Sequence, residues 1–328
     1  MNFPERSKSG WGTCGGMRQR VGFRDGWTSW ALPMILLPGA VLAVAPLGAP
    51  RAEWKSVGQP GPGVRVDSRR GPTGEVTVIR VDLSPGRARL EVAAADIARR
   101  EGAVSGRALP LAGWLARTGA CAAVNGGFFG RDVSEDHLQI LGLLKCRGRV
   151  RSAAPRLRSR GGQAYARAAL GIPTSGLPEV AWVTGLRPLL AYGDPLLNAA
   201  GRVWSVREAI GCGPALIRQG VTRVTDSEER LISPELEPRT EVATARGDQG
   251  ESIAALFAFE RSGFDGCAQG VREYFAHRGR ARVIDAICLD GGSSTQAIWK
   301  DRGGLASTNP FARSVPTAVV VKCGGVGE

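Results

Sequence analysis

The spacing of apolar residues changes along the chain, and each change marks a predicted element. Thr77, Ile79, Val81 and Leu83 recur at every second position, Ser84-Pro85-Gly86 turns the chain, and Ala88, Leu90 and Val92 alternate again. That order predicts a β-hairpin. Pro110 to Arg117 predicts a short helix stopped by Gly119. The apolar run Cys121–Val124 predicts a buried strand that leads directly into Asn125-Gly126-Gly127-Phe128-Phe129. Leu141–Leu144, Ala181–Val183 and Ala215–Ile217 are apolar runs between Gly/Pro turns and read as further strands. Cys267–His277 predicts a second helix, with Ala268, Val271, Tyr274 and Phe275 on one face and Gly279 at its end. Val283–Leu289 then predicts a buried strand that delivers Asp290-Gly291-Gly292-Ser293-Ser294-Thr295, and Val315–Val321 a closing strand.

Helix, glycine stop, buried strand and polar-Gly-Gly loop therefore occur twice. With the hairpins between them, they predict an α+β fold: a single domain with a mixed β-sheet and helices packed outside. The domain is expected over residues 73–328, preceded by a Gly/Pro/Arg-rich linker or edge segment at 53–72. Residues 1–52 read as a leader. A polar, net positive segment is followed by an apolar run from Trp30 to Leu47, the order of a secretory signal peptide or of an uncleaved N-terminal membrane anchor. Either reading places the protein outside the cytoplasm, secreted or periplasmic.

With 43% hydrophobic and 22% charged residues the chain is globular. Its net charge of +13 raises the question of nucleic acid, but the leader carries part of that charge and the arginines of the remainder are scattered. No nucleic-acid module accompanies them, so no nucleic-acid partner is expected and the excess suits anionic partners generally. Six cysteines lie beyond the leader: Cys121, Cys146, Cys212, Cys267, Cys288 and Cys323. In an exported chain they permit disulfides in many pairings. Cys121 and Cys288, each in an apolar run, read as buried thiols.

Two histidines, His137 and His277, stand in no ligand-like spacing, so no metal site is expected. No nucleophile elbow, phosphate loop or dinucleotide fingerprint occurs, and no cofactor is expected. What remains for chemistry is carboxylates, amides, arginines and glycine loops. Asp290 stands where an apolar strand ends. Gly291 and Gly292 free the backbone there, and Ser293, Ser294 and Thr295 add hydroxyls and N–H groups that can cradle an anion. Asn125, with Gly126, Gly127 and Phe128, offers a second such cradle.

At these residues the sequence resembles the phosphodiester glycosidase family. Ala123-Val124-Asn125-Gly126-Gly127-Phe128-Phe129 and Leu289-Asp290-Gly291-Gly292-Ser293-Ser294 match its two signature segments. Gly211-Cys212-Gly213-Pro214-Ala215-Leu216, Pro238-Arg239-Thr240, and Asn309-Pro310 with Arg313 and Pro316 follow its other elements in order. The chain departs at Glu260-Arg261-Ser262, where the family has Asp-Gly-Arg, and at Ser293, where a third glycine is common. The resemblance implies hydrolysis of a sugar-1-phosphodiester at the anomeric C–O bond, on a phosphorylated sugar or glycan. By hypothesis Asp290 stabilises the oxocarbenium-like centre or activates water, Arg239 neutralises phosphate, and Asn125 orients the substrate. Trp182, Trp204 and Trp299 could stack on sugar rings, although core packing is the simpler role. Two other readings of the same pockets stay open. One is a non-catalytic phosphoglycan-binding protein in exopolysaccharide assembly; the other is a glycosidase of unphosphorylated sugars.

Overall fold

A run of successive buried residues in a strand must have both faces covered, and the closing strand shows how this chain does it. In Thr317–Cys323, Val319 and Val321 enter the central core while Ala318 and Val320 pack on the other side against a helix. Successive side chains of a strand point to opposite faces, so an unbroken apolar run serves two cores at once. Ser252–Ser262 repeats the device: Ala254, Leu256 and Ala258 face the central core, and Ile253, Ala255, Phe257 and Phe259 face a second one.

The computed structural model describes residues 53–324, apart from 101, 135 and 233–235. The leader, read as a signal peptide or anchor, lies outside the described residues. Three antiparallel sheets surround the central core. The eight-stranded one runs, in order, through Lys55–Gly61, Val64–Gly71, Gly74–Asp82, Ser252–Ser262, Glu237–Gly247, Ala281–Cys288, Ala215–Arg218 and Val221–Thr222. The residues read as a linker or edge segment are thus its outermost pair of strands. A seven-stranded sheet has Glu208–Gly211, Arg167–Ile172 and Glu179–Gly185 at its centre. A five-stranded sheet has the order Gly304–Ser307, Ala297–Asp301, Ala122–Asn125, Thr317–Cys323, Ala88–Ala94. Val66, Ile79 and Leu256 from the first, Leu170 and Trp182 from the second, and Val124 and Val319 from the third meet in one cluster.

The expected α+β class with a mixed sheet is therefore corrected. The fold is mostly β, 52% strand against 10% helix, and every strand pairing among the described residues is antiparallel. The two expected helices exist, but each only covers the outer face of a sheet. Helix α1, Leu111–Thr118, places Leu111, Trp114 and Leu115 on the five-stranded sheet and stops at Gly119, whose φ of 67° closes it through an N–H bond to Leu115. Helix α2, Phe264–Tyr274, packs Val271 and Tyr274 on the eight-stranded sheet and continues as a single π-turn, Phe275–Gly279. The repeated helix–strand–loop layout resembles a crossover unit in sequence, yet neither following strand pairs in parallel with anything.

The expected hairpin at 77–92 is also not formed. Gly74–Asp82 pairs with Val64–Gly71 and Ser252–Ser262, whereas Ala88–Ala94 pairs with Thr317–Cys323 in another sheet. The Ser84-Pro85-Gly86 turn carries the chain between sheets. Cys121, read as a buried thiol, is bonded to Cys323 in a disulfide, while Cys146, Cys212, Cys267 and Cys288 are buried thiols. The pairing follows from register: the Cys121 N–H donates to Val321 at the end of the closing strand.

Candidate functional site

Strand Ala122–Asn125 is held on both edges, by Ala297–Asp301 and by Thr317–Cys323, and it ends in a fully buried Asn125. Just past the strand Ala281–Cys288, the Asp290 N–H donates to the Gly126 carbonyl at 3.1 Å. The Asn125 side chain locks the two together. Its Nδ2 donates to the Asp290 carbonyl at 2.7 Å, and its Oδ1 accepts from the Thr240 hydroxyl at 2.6 Å and from the Gln296 N–H at 3.2 Å. The two Gly-Gly loops, far apart in sequence, form one constellation.

The first loop uses its glycines for packing. A Cβ on Gly126 would lie 2.7 Å from the Thr317 backbone, and one on Gly127 would lie 2.5 Å from the Gly211 carbonyl. The Gly126 N–H donates to the Thr317 carbonyl and the Gly127 N–H to its hydroxyl. These donors bind protein, so the loop is a buried brace and no anion cradle. The second loop is more open. Gly292 has φ of 60°, a conformation that favours glycine. It begins a 3-10 turn, Gly292–Ser294, in which Ser293 is exposed while Ser294 and Thr295 are buried.

Phe128 and Asp290 line a cavity of about 460 Å³ together with Phe129, Arg167, Gly211 and Cys212. Asp290 is pushed up to about 6, because burial penalises its charged form. The Ser294 hydroxyl, the Gly291 N–H and Arg313 act against that rise, and Glu237 adds to it. A carboxyl poised near neutrality can serve as acid or base. Cys212 does not compete as a nucleophile: burial, and then the Asp290 charge, push its thiol well up, so it stays protonated.

Four charged residues complete the picture, and the sequence assigns a role to Arg239 alone. Arg239 is 5% exposed. It pairs with Glu237 at 2.6 Å, lies 4.2 Å over the Phe264 ring, and its Nη1 would be 3.6 Å from a Cβ on Gly291. It therefore supports the Asp290 loop from behind and is not among the residues lining the cavity. Next to it Glu241 is fully buried and lifted to about 8 by that burial. Arg167 does line the cavity, with its guanidinium 5.9 Å from the Phe128 ring centroid. Arg313 lies 4.6 Å over Phe129 and acts on Asp290 electrostatically. Neither Arg167 nor Arg313 forms an ion pair with a described carboxylate. Arg167 stands in a plain Ala-Arg-Ala-Ala-Leu strand with no motif to flag it, and Arg313 was visible only as part of a family element. Trp182, Trp204 and Trp299 are all buried and belong to the core.

The arrangement offers one titratable carboxylate at the edge of a cavity, with two cations to meet a phosphate. A search of the curated proteins returned no match. Among solved structures, the chain is similar to a hypothetical protein from Synechocystis, with 19% identity and a TM-score of 0.49, over 82% of this chain and 63% of that one. It is also similar to the zebrafish N-acetylglucosamine-1-phosphodiester alpha-N-acetylglucosaminidase catalytic domain auto-inhibited by its pro-peptide, with 17% identity and a TM-score of 0.46, over 84% of this chain and 85% of that one. The phosphodiester glycosidase family model matches residues 118–322, a span that takes in both Gly-Gly loops, Arg167, Arg239 and Arg313. With the matched segment carrying the whole constellation, the chain belongs to the phosphodiester glycosidase family.

Proposed function

We propose that this protein hydrolyses a sugar-1-phosphodiester at the bond between the anomeric carbon and the bridging oxygen. The observation that carries this reading is Asp290: a carboxyl held near pKa 6 at the wall of a cavity that Arg167 also lines. A phosphomonoester leaves readily, so one carboxylate and cationic help for the departing phosphate suffice. The ionised Asp290 activates water or stabilises the oxocarbenium-like centre. Arg167 and Arg313 neutralise the phosphate. Arg239 is assigned to positioning, since it fixes Glu237 and backs Gly291. Asn125 acts in the same way, through its bond to the Asp290 carbonyl. The 3-10 turn Gly292–Ser294 and the Ser294 hydroxyl keep the carboxylate aimed.

The same reading places the reaction outside the cytoplasm, on a phosphorylated glycan. The leader pattern and the Cys121–Cys323 disulfide support export, since such bonds persist in oxidising compartments. The deciding experiment is a turnover screen of purified protein against sugar-1-phosphodiesters and matched aryl glycosides. Release of free sugar from the phosphodiesters alone is expected, and its loss in Asp290→Asn. Tight binding with no turnover of any ester would leave a phosphoglycan-binding protein instead.

A further inference from the structure

The cavity beside Asp290 is apolar where a second sugar would need hydrogen bonds. Beyond the two phenylalanines its wall is built from Leu141, Leu143, Pro155, Leu157, Val183 and Leu231. Asp290 and Arg167 are the charged side chains among its described lining residues. Leu141, 41% exposed, brings the apolar lining to the surface. A glycan hydroxyl placed here would give up water and find few partners. A hydrocarbon placed here would gain from burial. At about 460 Å³ the space falls within the range of cavities that enclose small ligands.

We infer that this end of the cavity takes the aglycone of the phosphodiester, and that the aglycone is a hydrocarbon chain. The inference rests on the hydrolytic reading above and names its substrate class: a sugar joined through one phosphate to an alkyl or prenyl alcohol. The phosphate then lies between Asp290 and the apolar wall, beside Arg167. The sugar lies toward the exposed Ser293. In the reaction a water oxygen bonds to the anomeric carbon and the bond from that carbon to the phosphate oxygen breaks. The hydrocarbyl phosphate leaves with the electron pair, and the water proton passes to the Asp290 carboxylate and on to solvent.

The test is a series of phosphodiesters of one sugar with methyl, butyl, hexyl, octyl and glycerol aglycones, kept below micelle-forming concentration. The expected result is a kcat/KM that rises about fourfold for each methylene until the cavity is filled, the burial of about 0.8 kcal/mol per group. Leu157→Asn, at a half-buried position, should flatten that rise while its melting temperature shows it folded. Calorimetric binding of octyl phosphate against glycerol phosphate gives an arm that needs no turnover. Octyl phosphate should bind the more tightly by tenfold or more, as burial of several methylenes requires. A flat series with the glycerol ester turned over as fast as the octyl ester would overturn the inference and leave hydrolysis standing. No turnover of any ester, with octyl phosphate still preferred, would remove hydrolysis and keep the apolar subsite. Equal binding of the two phosphates without turnover would end both.

Discussion

The Asn125 amide donates to the backbone carbonyl of Asp290 at 2.7 Å, across 165 residues of chain. The bond is made between two loop ends and fixes one loop against the other. Asn125→Ala should therefore leave the Asp290 carbonyl, the Thr240 hydroxyl and the Gln296 N–H without their buried partner. The expected cost is about 1–3 kcal/mol for each unsatisfied group, partly relieved by water. Denaturant unfolding read together with turnover checks this. A variant as stable and active as the parent would show that the loops hold themselves.

Asp290→Asn should lower kcat by about a hundredfold or more, the scale of a lost acid–base group. Its effect on stability has the opposite sign and depends on pH. A carboxyl pushed up to about 6 is stabilised in the folded state as its protonated form. That contribution is complete below the ordinary aspartate range and fades as pH rises through 6. Asp290→Asn escapes the loss, so its melting temperature should overtake the parent's between pH 4 and 7. A parallel pair of melting curves over that range would remove the desolvated carboxylate from the account.

The pH–rate profile reports which form of Asp290 works. As a base or an electrostatic stabiliser it must be ionised, so kcat/KM should climb with pH to a plateau with a midpoint near 6. Arg313→Gln removes a charge that holds the carboxyl down, and should move the midpoint upward. A rate that falls through the same range would make Asp290 the general acid instead.

The arginines should separate into two kinds. Arg167→Ala should cost about tenfold to a hundredfold in kcat/KM, the worth of a charge-assisted hydrogen bond, with an unchanged melting temperature. Arg239→Ala removes a buried guanidinium from its hydrogen-bonded pair with the half-buried Glu237 and should cost about 1–3 kcal/mol of stability. If Arg239→Lys loses substrate affinity and keeps its stability, Arg239 reaches the phosphate directly.

Much of this was legible in the residues, and what was not has physical reasons. The Asn125 and Asp290 loops stand out because glycine pairs after apolar strands are conspicuous. Gly119 marked the end of α1 because its left-handed conformation suits glycine. Partner choice was not legible. A Ser-Pro-Gly turn reports that the chain reverses, and says nothing about whether Ala88–Ala94 pairs with the strand before it or with one more than 200 residues later. Apolar runs such as Thr317–Cys323 read as strands of a mixed, helix-covered sheet, whereas antiparallel layers and one helix bury them equally well. Arg167 went unnoticed because its role depends on which strand end opens at the cavity, a property of the assembled sheets.

The closing strand, Thr317–Cys323, does not lie at the edge of its sheet. It is inserted between Ala122–Asn125 and Ala88–Ala94, and Thr317 holds the Gly126 and Gly127 amides. The Asn125 loop is thus braced by a residue that leaves the ribosome 190 residues after Gly127. A chain interrupted shortly before Thr317 has all of Asn125, Arg239 and Asp290, yet lacks the strand that seats the Asn125 loop. Translation must therefore deliver Thr317–Cys323 before the Asn125 loop can take its place.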